Sequence, residues 1–391
     1  MNLNQPAPGI KDYISARLGK PDAEIPHISA AVDMAGALAV KGRPFWQALG
    51  ALENSYWQDE LASTPIKAPV YVCGLARSGT TILLETLAGT GAFSTHLYRD
   101  FPFVDIPVLW NRWLDCQPAV KTVPARERAH LDGLPVTPES PEALEEMLWM
   151  AAFPQSHNPD IPSVLDASTD KPSFERHYKS HIHKILWLRK KPRYLTKGNY
   201  HLTRMLYIQK LFPDARFIVP VREPVAHIAS LVKQHLLFST LEKEDPRVLR
   251  YMQRLGHFEF GLDRRPINCG DTDAAARVKN LWASGDEIGG WALYWSMIHN
   301  WIYEILESHP ALRQAVLIVP FDHLHTRPDE AVRRLLDFCG FDVDEAALKI
   351  LAARLHAPTY YRHDFDERAL RAIRDATAQT WEKLSGAGEG T

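Results

Sequence analysis

The stretch that decides the fold is a short apolar segment followed by a glycine-bounded loop, Val70-Tyr71-Val72-Cys73 and then Gly74-Leu75-Ala76-Arg77-Ser78-Gly79-Thr80-Thr81. The apolar segment is typical of a buried strand, and residues 80–88 carry leucine and isoleucine at helical spacing. A strand, a glycine loop and a helix in this order open an α/β sheet. We therefore predict an α/β protein with a central parallel sheet.

The two glycines of this loop, Gly74 and Gly79, have the spacing of a phosphate-binding loop (P-loop). In such a loop, backbone N–H groups and a helix N-terminus surround a phosphate. A nucleotide triphosphatase needs lysine after the second glycine, where it reaches the β- and γ-phosphates. That position is Thr80 here, and the nearest cation is Arg77 inside the loop. The loop therefore suits a phosphate better than a triphosphate with magnesium.

The composition is that of a globular protein with a large core. The 391 residues include 45 Lys+Arg and 47 Asp+Glu, so the formal net charge is -2, and 46% of the residues are hydrophobic. This balance excludes disorder for most of the chain and argues against a general nucleic-acid binder. Any bound anion must therefore be held by local groups.

The cysteines and the hydropathy pattern predict the compartment. The four cysteines are far apart and form no CxxC pair, which is a poor disulfide framework and a poor zinc site (Cys73, Cys116, Cys269, Cys339). The N-terminus lacks the apolar core of a signal peptide, and no stretch approaches the ~20 apolar residues of a membrane span. We expect a soluble, cytoplasmic protein without a membrane span.

The chain divides into two parts in this interpretation. Residues 1–64 are predicted to be a helical N-terminal extension, and residues 65–391 to be the α/β domain. Within that domain, residues 241–285 lack strong periodicity and are interpreted as an insertion or lid. A helix is expected to begin at Ser140, with Pro141 at its first position and acidic residues in its first turns.

Two apolar segments end in proline and predict where ligands bind. Pro220 and Pro320 each stand near the end of a predicted strand. Proline removes a donor from the strand ladder, so each should lie where pairing ends, near the carboxyl edge of the sheet. Open α/β sheets bind ligands at that edge.

A second anion-binding pattern follows the strand at 216–221. Arg222 ends this strand, and Ser230 lies eight residues later on the next helix. The loop and this pair together resemble the cofactor motifs of sulfotransferases that use 3′-phosphoadenosine 5′-phosphosulfate (PAPS). The resemblance implies that the loop binds the 5′-phosphosulfate and that the pair binds the 3′-phosphate. The implied cofactor-binding residues are Arg77, Ser78, Gly79, Thr80, Thr81, Arg222 and Ser230.

The resemblance covers roughly residues 66–345. The segments Tyr194-Leu195-Thr196-Lys197-Gly198-Asn199 and Leu211-Phe212-Pro213-Asp214-Ala215-Arg216-Phe217 are similar to tyrosylprotein and bacterial carbohydrate sulfotransferases. In that group, the lysine equivalent to Lys197 acts at the transferring sulfuryl group. The segments Val319-Pro320-Phe321-Asp322-His323-Leu324 and Phe338-Cys339-Gly340-Phe341 also look like family segments.

This resemblance implies a P-loop-type three-layer α/β/α fold and a PAPS-dependent sulfotransferase. The acceptor is a hydroxyl or an amine of an unidentified molecule, which could be a carbohydrate or another small metabolite. No metal is expected, because the loop, Arg77 and Lys197 can neutralise the leaving phosphate. Neither the acceptor nor the oligomeric state can be read from the sequence.

The general base is less well defined. Relatives place a glutamate about twenty residues after the loop arginine, and residues 94–100 contain none. Asp100 and His96 are the nearest groups that could accept a proton, and we favour Asp100. The alternative is a structural ion pair between Arg99 and Asp100. Glu145 or Glu146 is a third possibility.

Other patterns are interpreted structurally, and two other functions stay open. His177 and His181 have the i, i+4 spacing that can bind zinc from a helix, and His183 lies nearby, but no matching carboxylate or further ligand is evident. The same fold could serve a nucleotide kinase or triphosphatase, against which Thr80 argues. The chain could also be a catalytically silent nucleotide-binding protein.

Overall fold

The computed structural model describes residues 9–18, 28–117, 124–355 and 363–389. Its centre is a five-stranded sheet of order β2-β5-β1-β6-β7, in which every neighbouring pair of strands is parallel. A separate two-stranded antiparallel hairpin is formed by β3 and β4. The seven strands are β1 Val70–Val72, β2 Phe93–Ser94, β3 Arg126–Glu127, β4 Pro135–Val136, β5 Arg193–Lys197, β6 Arg216–Val221 and β7 Val316–Pro320.

Eighteen α-helices surround these strands in the described part of the chain. They are α1 Ile10–Leu18, α2 Ala30–Lys41, α3 Arg43–Tyr56, α4 Gln58–Ala62, α5 Thr80–Ala88, α6 Pro107–Asp115, α7 Glu146–Ala152, α8 Pro172–Arg189, α9 Met205–Leu211, α10 Pro224–Glu244, α11 Pro246–Leu255, α12 Thr272–Ala283, α13 Glu287–Ser308, α14 Pro310–Gln314, α15 His323–Thr326, α16 Pro328–Cys339, α17 Glu345–Ala352 and α18 Glu367–Glu389. Two short 3₁₀ helices lie at Tyr98–Asp100 and Asn199–Arg204.

The alternation of side chains along β1 generates the layers. Val70 and Val72 point into one hydrophobic core, whereas Tyr71 and Cys73 point into the other, and all four are fully buried. The first core is closed by α5, α16 and α17, and the second by α8, α9, α10 and α13. The three-layer α/β/α fold with a central parallel sheet is therefore confirmed.

Both prolines lie near the carboxyl edge of the sheet, as predicted, but only Pro320 ends a strand, since the pairing of β6 with β7 continues past Pro220 to Val221. Pairing between β1 and β6 ends at Val72 and Ile218, so Pro220 lies beyond it, and its Cα partner is Val319 on β7. Pro320 is the last residue of β7, which is an edge strand of the sheet. Both prolines thus mark the carboxyl edge at which the phosphate loop also begins.

The predicted start of a helix at Ser140 is wrong. Pro141 instead forms a β-bridge with Leu97, and the Glu142 N–H donates to the carbonyl of His96 at 3.0 Å. Proline and early acidic residues suit a helix start, but pairing with residues 96–98 holds this segment extended. The helix begins at Glu146.

Helices occupy much of the predicted lid and of the N-terminal extension. In 241–285, α11 runs from an Asp245 cap to Gly256, and α12 packs against α13. The role of this segment as a lid stays a prediction, as does the division at residue 64. Residues 1–8 and 19–27 of the extension lie outside the described residues. No helix in the described part of the chain has the length and apolar character that crossing a membrane requires.

Candidate active site

The loop between β1 and α5 is shaped by two residues in the left-handed region. Arg77 has φ +70° and Gly79 has φ +110°. A Cβ on Gly79 would lie 2.7 Å from the ring of Phe321, so only glycine fits both the conformation and the space. The loop therefore turns tightly and leads directly into the first turn of α5.

The start of α5 has the properties of an anion site. Its cap residue, Gly79, makes no side-chain cap hydrogen bond, and the first N–H groups of a helix have no partner within the helix. The Ser78 hydroxyl is fully buried in the loop and has no hydrogen-bond partner. An unpartnered buried hydroxyl beside uncapped N–H groups fits a bound phosphate or sulfate oxygen.

The structure brings the two predicted anion motifs together. The Arg77 Nε donates to the Ser230 hydroxyl at 3.3 Å, and an Arg222 guanidinium N–H donates to the Arg77 carbonyl at 3.3 Å. The Arg222 guanidinium also lies 4.7 Å from the ring centre of Phe321. The end of β6 and the second turn of α10 therefore adjoin the loop, as their sequence positions predicted.

A cavity connects these motifs, and its charge is strongly positive. Among the residues that the structure describes, five cationic side chains line it, against the single carboxylate of Asp132. Arg77 Nη1 donates to Asp132 at 3.0 Å, and Arg128 Nε donates to it at 2.8 Å. The cavity thus suits an anionic ligand. Its cationic lining residues are Arg77, Arg128, Arg222, Lys233 and Arg354.

Sequence reasoning missed three of these cations. Lys233 lies one helical turn after Ser230, so the i, i+3 spacing could have indicated it. Arg128 enters from the β3–β4 hairpin, and Arg354 follows α17, so neither has a local pattern that connects it with the loop. Their convergence is a product of the tertiary fold.

The loop is supported from behind by a buried histidine that was also missed. The His227 Nε2–H donates to the carbonyl of Ala76 at 2.8 Å, and its Nδ1 accepts from the Trp295 indole N–H at 3.1 Å. Burial lowers the pKa of His227 well below its ordinary value, which matches a neutral ring with these two roles. The aromatic helix α13 therefore helps to hold the loop as well as filling the core.

Lys197 lies at the boundary between this cavity and a second one. It ends β5 beside β1, and its Nζ donates to the Thr81 hydroxyl at 3.3 Å. Both cavities share Arg77, Thr80 and Thr81, whereas Lys197 lines only the second. Burial lowers the pKa of Lys197, although the Glu142 carboxylate opposes this effect. The lysine is therefore placed at the junction between two binding spaces.

Asp100 is not brought to this junction. It is buried, and its carboxylate accepts from Asn111 Nδ2 at 2.8 Å, from the backbone N–H of Leu97 at 2.9 Å and from the guanidinium of Arg189. It lines neither cavity. The ion-pair partner of Asp100 is thus Arg189 rather than Arg99, and a catalytic role of Asp100 stays a prediction that its distance from both cavities does not favour. Arg99 pairs with Asp115 and Glu139 instead, as their short guanidinium–carboxylate contacts indicate.

His96 and the two glutamates are also held within the core. The rings of His96 and His181 stack, with their Nε2 atoms 2.7 Å apart, and burial lowers the pKa of His96. Glu145 accepts from the hydroxyls of two buried tyrosines, and Glu146 pairs with Arg204. None of the three lines either cavity. Their role as a base stays a prediction, and these contacts do not favour it.

The histidines of α8 point to separate partners. His181 pairs with His96, His183 hydrogen-bonds the carbonyl of Thr64, and His177 lies 3.4 Å from Asp105. Among the residues that the structure describes, no group of three or more His, Cys, Asp or Glu side chains is arranged to hold a metal ion. The helical spacing of these histidines thus serves packing.

The fold and the site define a class, an α/β protein with a glycine-bounded loop between its first strand and helix and a cationic cavity that reaches the adjoining strand end. The family model described as "Sulfotransferase family" matches residues 69–264, which is half of the chain. The chain belongs to this sulfotransferase family.

Several solved structures are similar to the chain at low identity. Sulfotransferase STF1 from Mycobacterium tuberculosis H37Rv is 14% identical, with 96% of this chain and 97% of that chain covered and a TM-score of 0.44. Sulfotransferase STF9 from Mycobacterium avium is 14% identical, with 98% of each covered and a TM-score of 0.45. The sulfotransferase domain from the curacin biosynthetic pathway is 15% identical, with 82% and 98% covered and a TM-score of 0.37. No curated protein matches the chain.

The structural role of Asp100 leads to a testable distinction between stability and catalysis. We expect Asp100→Asn to lower the free energy of unfolding by about 3 kcal/mol, because Arg189 would keep a charge with a weakened partner. Sulfuryl transfer per folded molecule should be little changed. Urea unfolding followed by fluorescence, together with an activity assay at low temperature, measures both.

The matched control for this variant is Asp115→Asn. Asp115 also pairs with an arginine, but 59% of its side chain is exposed, so the expected cost is at most about 1 kcal/mol. A stable Asp100→Asn protein that has lost activity would restore Asp100 as the base.

Proposed function

We propose that the chain transfers the sulfuryl group of PAPS to a hydroxyl or amine of a small-molecule or glycan acceptor. The observation that carries this proposal is the cationic cavity that reaches from the loop to Arg222 and Ser230. PAPS has a phosphosulfate at one end and a phosphate at the other, and residues of both anion motifs line the cavity. The family to which the chain belongs supports the same donor.

The residues fit the two ends of this donor. The N–H groups at the start of α5, where Gly79, Thr80 and Thr81 line the cavity, would receive the 5′-phosphosulfate. Ser78 belongs to the same loop but lines neither cavity, so its contact with the ligand is what the resemblance implies. Arg222 offers a planar fork of donors for the 3′-phosphate, and the Ser230 hydroxyl lies within reach of the same cavity. Arg77 contacts both motifs, so we place it between the two anionic ends.

The chemistry needs little beyond positioning and charge. The acceptor oxygen forms a bond to sulfur, while the bond between sulfur and the phosphate oxygen breaks and its electron pair leaves with the phosphate. Lys197 lies at the junction of the two cavities and would stabilise the charge on that oxygen. The second cavity adjoins the first at Arg77, Thr80 and Thr81, and the reacting hydroxyl of the acceptor would enter it in line with the sulfur.

Thermal shift tests the donor against the alternatives. We expect adenosine 3′,5′-bisphosphate to raise the melting temperature more than ATP with Mg²⁺ at equal concentration, because Thr80 replaces the lysine that a triphosphate requires. Selective stabilisation by ATP with Mg²⁺ would favour a kinase or triphosphatase. Bisphosphate binding without PAPS turnover on carbohydrate, phenol and peptide acceptors would favour a silent nucleotide-binding protein.

We also propose a cytoplasmic location. All four cysteines are unpaired, and three of them are buried, which suits a reducing compartment.

Lys233 should make donor binding depend on pH. Burial lowers the pKa of Lys233 to about 7, and the charge of Arg77 acts in the same direction. The lysine is therefore largely neutral near pH 8 in the free protein, whereas a bound phosphate favours its charged form. Binding should take up a proton, and affinity should fall as pH rises above 7, by at most about tenfold per pH unit.

Calorimetry at about pH 8 measures this proton uptake. Titration of adenosine 3′,5′-bisphosphate in two buffers of different ionisation enthalpy should show uptake that Lys233→Met abolishes. Lys243→Met, on the same helix but outside the cavity, should behave like the wild type. Equal uptake in Lys233→Met would show that another group titrates.

A further inference from the structure

The second cavity, which shares Arg77, Thr80 and Thr81 with the first, contains a histidine and a glutamate from a segment distant in sequence. His257 and Glu259 follow α11 and meet the loop and Lys197 in this cavity. Its remaining lining residues are Ala76, Arg77, Thr80, Thr81, His130, Asn199, Met252 and Phe260. A titratable pair therefore faces the space in which an acceptor would approach the sulfur.

The pair is held in a defined geometry. The His257 Nδ1 lies 3.4 Å from a carboxylate oxygen of Glu259, and the other oxygen of Glu259 accepts from Asn199 Nδ2 at 2.6 Å. Asn199 lies two residues after Lys197, at the start of the 3₁₀ helix. The contact at Nδ1 leaves Nε2 as the nitrogen that can take up a proton. This is the arrangement of a base oriented by a third group.

The charges around His257 come from three segments. Burial lowers the pKa of His257, but the Glu259 carboxylate outweighs this effect and the pKa is raised above its ordinary value. Lys197 opposes the rise, and the Glu142 carboxylate supports it. A neutral histidine whose pKa is raised is a stronger base than an ionised carboxylate whose pKa is lowered.

We propose that His257 is the general base of the transfer and that Glu259 and Asn199 are its positioning residues. This proposal rests on the proposed function. As the acceptor oxygen bonds to sulfur, its proton passes to His257 Nε2. The electron pair of the broken sulfur–oxygen bond leaves with the phosphate beside Lys197.

His130 also lines the second cavity, but burial and the charge of Arg128 lower the pKa of His130 well below its ordinary value, which makes it a weak base. Glu142 is a further competing candidate. Its carboxylate interacts with Lys197, which lowers the pKa of Glu142 despite burial, and it hydrogen-bonds Tyr98. Its Oε1 also accepts from the backbone N–H of Ala143 at 2.6 Å. Glu142 is not among the residues that line the second cavity. We therefore propose that the acceptor proton passes to His257, and the variant Glu142→Gln tests the alternative.

The experiment uses the full chain and PAPS with water as the acceptor, so that no acceptor has to be known. His257→Gln should slow the release of adenosine 3′,5′-bisphosphate at least about 100-fold. The dissociation constant of the bisphosphate should stay the same, because His257 does not line the donor cavity. Added imidazole should restore part of the turnover of His257→Ala.

Glu259→Gln supplies a readout that a purely structural role would not give. The wild-type turnover should rise with pH as His257 loses its proton. Removing the Glu259 charge lowers the pKa of His257, so the rise should move to lower pH in this variant. His235→Gln is the matched control, because His235 faces the carboxylate of Glu287 at 4.0 Å outside both cavities.

Three results would overturn the assignment. Wild-type turnover with an unchanged pH profile in His257→Gln would exclude this base, and loss of turnover in Glu142→Gln alone would assign the proton to Glu142. Loss of bisphosphate binding in His257→Gln would indicate a structural role. If the wild type neither binds the bisphosphate nor turns over PAPS, the proposed function itself fails, and this proposal fails with it.

Discussion

Arg222→Ala is expected to weaken the binding of adenosine 3′,5′-bisphosphate about 100-fold, because a buried phosphate would lose a charged, bidentate partner. The binding of AMP, which has no 3′-phosphate, should change much less. The informative quantity is the dissociation constant of AMP divided by that of the bisphosphate, both measured by calorimetry. This ratio should be lower in the variant than in the wild type by nearly the whole factor of about 100.

Two controls separate the 3′-phosphate role from a general effect of charge or folding. Arg216→Ala removes an arginine at the opposite end of the same strand, away from the cavity, and should leave the ratio unchanged. Arg222→Lys keeps the charge but loses the planar fork, so it should restore only part of the affinity. Equal losses for AMP and the bisphosphate in Arg222→Ala would contradict the assignment.

Lys197→Met is expected to reduce the turnover of PAPS by about 10²- to 10³-fold, as is typical when one group that stabilises transition-state charge is removed. The dissociation constant of the bisphosphate should change little, since Lys197 lies in the second cavity. Steady-state kinetics and calorimetry on the same preparation therefore measure two separable quantities.

Unfolding does not explain such a loss. Burial lowers the pKa of Lys197, so its charge is present at a cost in the folded state, and methionine removes that cost. Methionine also leaves the buried Glu142 carboxylate without the charge of Lys197, so the melting temperature of Lys197→Met should be close to or below that of the wild type, and turnover is compared per folded molecule well below it. Lys210→Met, on α9 and outside both cavities, is the control. Near wild-type turnover in Lys197→Met would remove this residue from the mechanism.

Local patterns predicted the centre of the fold well. The strand at β1, the loop and the helix Thr80–Ala88 are contiguous, so their glycines and apolar periodicity were sufficient. The strand Arg216–Val221 and its arginine were readable for the same reason. Each of these features depends on neighbours in the chain, and parallel strands bring their carboxyl ends to one edge.

The general base that we propose could not be predicted from local sequence patterns. Asp100 and His96 were chosen by counting residues from the loop, but pairing of residues 96–98 with 138–142 carries both into the core. The groups that do face Lys197 come from 257–259, about sixty residues beyond it in the chain. No local periodicity encodes such a contact, since it depends on how α11 packs.

The most direct test of the account is the conversion of ³⁵S-labelled PAPS by the purified wild-type chain with a mixture of carbohydrate, phenol and peptide acceptors. We predict that label moves to an acceptor or to inorganic sulfate, with one adenosine 3′,5′-bisphosphate released per label transferred. Arg222→Ala and Lys197→Met should both be slower at low donor concentration, but only Lys197→Met at saturation. Intact PAPS after prolonged incubation with the folded wild type, on every acceptor tested, would contradict the account.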